Sequence, residues 1–166
     1  MSSRPVEASR LKSAETATAV TNKPLVGQLV VIDASVLLAI PLPDPQANKD
    51  YAMALLFAVD KGDVTPILTQ LCCHEVAAKL VRKVRGQTIS AATARSFFDL
   101  LEDVNFQHVV DIRSASLLFD DAWNMGCGSY DAAYIRAAVD NDAALATLDR
   151  KLLPHLPGQG VAHWQA

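Results

Sequence analysis

Cysteine is scarce in this chain, positive charge is not in excess and no apolar run is long, and each shortage closes a class of reading. The three cysteines, Cys72, Cys73 and Cys127, form no CxxC pair. Adjacent residues on a helix point apart, so neither a disulfide framework nor a zinc site is supported, and a reducing cytoplasm fits. A net charge of −3 with 20% charged residues excludes a protein that grips nucleic acid by bulk charge, while leaving room for local basic patches. No stretch approaches the roughly 20 apolar residues that span a bilayer, and the N-terminus has no apolar signal core. The expectation is a soluble protein with no membrane partner.

What the chain does have is core material: 166 residues that are 51% hydrophobic suffice for one sizeable domain. Residues 1–27 differ from the rest, being rich in Ser, Thr and Ala, with Arg4, Arg10, Lys12 and Lys23 against Glu7 and Glu15. That lead carries +2 of the net −3, so the remainder is about −5. Its composition predicts a flexible N-terminal extension preceding a single domain over 28–166.

From Gly27 onward, β-branched apolar runs alternate with stretches of helical periodicity, the pattern of strands joined through crossover helices. The fold class expected is α/β, a three-layer α/β/α sandwich around a central, mostly parallel sheet. Strands are predicted at 29–32, 64–69, 106–110 and 143–148, and helices at 34–40, 46–61, 71–84, 90–102, 114–125 and 129–139. Pro66 suits an edge or a strand start. Pro154 and Pro157 break the chain before a short tail, and Trp123 and Trp164 read as packing residues.

Four acids fall where apolar segments end or are interrupted: Asp33, Glu75, Asp131 and Asp149. Each has a structural explanation of its own. Asp33 can N-cap the helix beginning at Ala34, and Asp131 can be a first-turn acid two residues after Ser129 as N-cap. Asp149 can cap the turn toward Leu152, and Glu75 can pair with Lys79 at i, i+4. Four separate explanations are less economical than one site, because ligands of doubly wound sheets bind outside the carboxyl ends of the strands. An all-oxygen donor set suits Mg²⁺ or Mn²⁺ rather than zinc. Such cations offset the charge that develops when a phosphodiester is cleaved by in-line displacement.

The segments VIDASV around Asp33, SYDAAYI around Asp131 and TLDRKL around Asp149, together with the helix bearing Glu75, resemble PIN-domain ribonucleases of the VapC toxin type. The resemblance runs over about residues 29–161. It implies an Mg²⁺- or Mn²⁺-dependent endoribonuclease that leaves 5′-phosphate products, the toxin of a toxin–antitoxin pair, with a small antitoxin partner and a homodimer. On this reading Asp33 and Asp131 are the foremost direct ligands, and Glu75 and Asp149 complete a second metal position or orient water. Ser35, Ser129 and Thr147 are placed to hydrogen-bond the carboxylates.

Phosphate contacts are expected from Lys79, Arg82, Lys83 and Arg85, with Lys79 and Arg82 on the helix face of Glu75, and from Arg150 and Lys151 beside Asp149. A solvated charged face explains the same run. His74, His108, His155 and His163 lack paired spacing and read as structural or surface residues. The alternative is a non-catalytic PIN-like module that binds RNA or protein, against which the retention of all four acids argues. A phospho-accepting receiver would want paired acids after the first strand, and an aspartate-nucleophile phosphatase would want Asp-x-Asp, but Ala34 and Ser35 follow Asp33.

Overall fold

In the computed structural model, which describes residues 27–166, the β-branched run Gln28–Ile32 forms β1. Short helix α1 (Ala34–Leu38) and α2 (Gln46–Asp60) lead to β2 (Val64–Thr69). Helices α3 (Gln70–Arg85) and α4 (Ala91–Glu102) follow, then β3 (Gln107–Val109), α5 (Ala115–Met125), α6 (Ser129–Asp140) and β4 (Ala144–Ala146). Local chemistry sets several of these bounds. The side chains of Thr69, Ser90 and Ser114 accept from Cys72, Thr93 and Leu117 amides and so cap α3, α4 and α5. Apart from Gly27, the lead segment lies outside the described residues.

All four strands pair in parallel in the order β3-β2-β1-β4. With the right-handed crossovers usual for parallel strands, this order puts α1 to α4 on one face and α5 with α6 on the other, giving the three layers expected. The strand order reverses at β1: the chain moves outward through β2 and β3, then returns to β4 on the far flank of β1. Side chains such as Ile32, Ile67 and Leu145 are wholly buried, each contributing about 1.5–3 kcal/mol through burial. Gly27 sets the start of β1, since at φ +95° a Cβ there would stand 2.5 Å from the Asp63 carbonyl oxygen. Among the described residues no helix is long and apolar enough to cross a membrane.

Three expectations change. Pro66 is neither at an edge nor at a strand start, because β2 lies between β1 and β3 and begins at Val64. It is tolerated because β3 pairs only with Ile67, Leu68 and Thr69, so opposite Val30 of β1 the other flank of Pro66 is open. The fourth strand stops at Ala146 rather than at position 148, for a reason found at the site below. The segment after the prolines is part of the sheet layer. Two 3₁₀ turns, Leu153–His155 and Pro157–Gln159, return the chain along β4, where Leu145 N–H donates to Ala162 O at 2.9 Å and Trp164 N–H to Leu145 O at 3.0 Å.

Trp164 is buried and meets Tyr51 edge-on at 5.3 Å between ring centroids, whereas Trp123, expected to pack, is 76% exposed because α5 buries no residue. Replacing Trp164 by alanine is expected to cost about 3 kcal/mol or more, measured by urea unfolding. An unchanged midpoint would mean that the returning segment is not part of the cooperative core.

Candidate active site

Asp33 follows β1 directly and occupies the N-cap position of α1, yet its side chain makes no capping hydrogen bond. Its Oδ2 instead accepts from the hydroxyls of Ser35 and Thr147, each at 2.6 Å. Both hydroxyls also accept: Leu148 N–H donates to Ser35 Oγ and Asp149 N–H to Thr147 Oγ1, each at 3.0 Å. The chain beyond Ala146 therefore leaves the strand ladder to bond side chains at the end of β1, which is why β4 is short. Asp149 is brought beside Asp33 by the same arrangement, across the two strands that flank the reversal of strand order.

The remaining acids come from opposite helical layers. Glu75 lies in the second turn of α3 and is half-buried. Its Oε2 accepts from Tyr134 Oη at 2.6 Å, so a pair with Lys79, the structural alternative for this residue, is not what holds it. Tyr134 belongs to α6, is 3% exposed, and its hydroxyl also lies 3.4 Å from the Ala34 amide nitrogen. Asp131 sits in the first turn of α6, whose N-cap is Gly128 and not Ser129. A Cβ on Gly128 would come within 3.3 Å of Asp131 Oδ2, which favours glycine there. Ser129 is exposed and, among the described residues, bonds no carboxylate.

Asp33, Glu75, Asp131 and Asp149 all line one cleft of about 500 Å³. Lys79 and Arg82 line it too, while Lys83, Arg85, Arg150 and Lys151 do not. Tyr130, Tyr134 and His74 also line it, none of them among the residues expected at the site. The signal for Tyr134 was its spacing: three residues after Asp131 puts it one helical turn on, along the same face.

The acids are electrically coupled. Burial raises the Asp33 pKa above the ordinary carboxylate value, with the charge of Asp149 adding to it, although the Ser35 and Thr147 hydroxyls pull the other way. Glu75 is likewise raised, first by burial and then by Asp33 and Asp131, against the Tyr134 hydrogen bond and Lys79. Burial, the neighbouring Cys72 and the bond to Glu75 push the Tyr134 phenol far up, so it remains a proton donor. Among the described residues no three acids, histidines or cysteines already stand close enough to hold an ion. The donor set nevertheless fits a hard divalent cation: every side-chain donor the four acids offer is a carboxylate oxygen, and neighbouring acids add to the raised pKa of two of them, Asp149 to that of Asp33, and Asp33 and Asp131 to that of Glu75.

The fold is similar to that of PAE2754 from Pyrobaculum aerophilum (TM-score 0.59, 23% identity, covering 79% of this chain and 81% of the other). It is also similar to VapBC2 from Rickettsia felis, solved bound to a DNA fragment from their promoter (0.56, 13%, 83% and 100%). A third similar structure is FitAcB from Neisseria gonorrhoeae (0.53, 16%, 82% and 96%). At these identities the likeness is one of fold, a parallel sheet between two layers of helices. No family model and no curated protein matches the chain.

A carboxyl group with a raised pKa holds its proton more tightly in the native chain than in the unfolded one. Its contribution to stability is full below the unfolded value, about 4, and is lost as pH rises through the folded value. In metal-free buffer, Asp33→Asn removes that loss, so the variant is expected to gain stability relative to the parent between about pH 4 and neutrality. Thermal midpoints taken across this range check it, and a difference independent of pH would show that Asp33 ionises without penalty.

Proposed function

We propose that this chain, which carries the PIN-domain fold, is an Mg²⁺- or Mn²⁺-dependent endoribonuclease and the toxin of a toxin–antitoxin pair. The observation that carries the reading is the meeting of Asp33, Glu75, Asp131 and Asp149 in one cleft at the reversal of strand order, with Lys79 and Arg82 on the same wall. Likeness to structures named VapBC2 and FitAcB supports a toxin with a small antitoxin partner. The free thiols of Cys72, Cys73 and Cys127 are compatible with a cytoplasmic site of action.

The chain's residues divide the work. Asp33 and Asp131 would be the main ligands, with Glu75 and Asp149 completing the acidic set. When bound, the divalent cation supplies positive charge that offsets the charge growing on the attacking and leaving oxygens of the phosphodiester. Ser35 and Thr147 fix the Asp33 carboxylate in advance, so little reorganisation remains at the moment of reaction. Lys79 and Arg82 draw the substrate's phosphates toward acids that would otherwise repel them. A homodimer would cover Leu117, Phe119 and Trp123, which stand 52–76% exposed on α5, with Phe119 and Trp123 stacked 6.0 Å apart.

Asp33→Asn is expected to abolish Mn²⁺-dependent RNA cleavage, and with it most of the rise in thermal midpoint that Mn²⁺ gives the parent, while leaving the chain folded. A variant that cleaves like the parent would remove Asp33 from the site. For the dimer, Trp123→Glu should yield monomers in analytical ultracentrifugation. A parent that sediments as a monomer at micromolar concentration counts against the interface.

A further inference from the structure

Glu75 and Lys79 stand four residues apart on α3 and line the same cleft, the spacing at which an acid and a lysine ordinarily pair along a helix. A cation bound by Glu75 and an anion bound by Lys79 each require that this pair not form. In the structure it does not: Glu75 Oε2 accepts from Tyr134 at 2.6 Å, and the ion pairs among the described residues lie around Arg113 and Arg136.

We propose that Tyr134 is a positioning residue that holds the Glu75 carboxylate away from Lys79, keeping the one open to a cation and the other open to phosphate. The phenol suits the task. Its ring is locked in the core at 3% exposure, and its hydroxyl lies between Glu75 on α3 and the Ala34 amide at the start of α1. A short hydrogen bond to a half-buried carboxylate outweighs an exposed lysine pair, which is screened and must order a long side chain. Without the hydroxyl, Glu75 has a competing partner one turn along its own helix.

The inference rests on the metal-dependent reading above, and a double-mutant cycle on Mn²⁺ affinity separates the two. Calorimetric titration of the full chain with MnCl₂ is read for the parent, Tyr134→Phe, Lys79→Ala and the double variant. Tyr134→Phe should weaken Mn²⁺ binding roughly 10-fold or more. Lys79→Ala should then restore affinity by a factor at least about threefold larger in the Tyr134→Phe background than in the parent.

Equal effects of Lys79→Ala in both backgrounds, or a Tyr134→Phe variant that binds like the parent, overturn the role of Tyr134. A parent that binds no Mn²⁺ overturns the metal-dependent reading and the inference with it. Should Tyr134→Phe fail to fold, Lys79→Arg decides: with Tyr134 intact the longer cation should leave affinity within about twofold, and a 10-fold loss would show that the phenol does not keep Glu75 apart.

Discussion

A buried carboxylate must be satisfied, and in this molecule one such carboxylate organises the end of the sheet. Asp33 is 7% exposed, and removing its charge from water is costly unless hydrogen-bond donors replace the solvent. Ser35 and Thr147 supply them, and the lone pairs they keep bind the amides of the segment that follows β4. Satisfying Asp33 thus fixes the path of residues 147–149 and delivers Asp149 to its place. The residual cost shows in the raised pKa, and a bound cation would relieve it.

The frame of the fold was legible because burial and backbone chemistry write it locally. The β-branched runs at β1 and β2 and the hydroxyl caps of α3, α4 and α5 are short-range signals. The acids could be assigned to a common edge because the alternation of strands and helices implies parallel crossovers, which bring strand ends together. Lys79 and Arg82 followed from helical spacing alone, whereas Lys83 and Arg85 shared the charge run but not the face.

What escaped depends on partners distant in sequence. Thr147 ends β4 early because its hydroxyl bonds Asp33, and no local pattern announces that. Tyr134 shares the helix face of Asp131 by its spacing, but what its hydroxyl meets is set only when α3 packs opposite it and presents Glu75. Trp123 and Trp164 look alike in the sequence. Only the return of the last segment along β4 decides that Trp164 is enclosed and Trp123 is left outside.

The bonds that define the cleft join residues 114, 113 and 100 positions apart, so almost the whole domain must be in place before they can close. Thr147 and Asp33 stand where β4 and β1 end, so separating them disturbs the junction of the two paired strands. The amides of Leu148 and Asp149 are tied to hydroxyls rather than to a strand ladder. Their exchange with deuterated solvent should slow to the rate of global unfolding, so two backbone protons outside any strand or helix would report the integrity of the entire sheet.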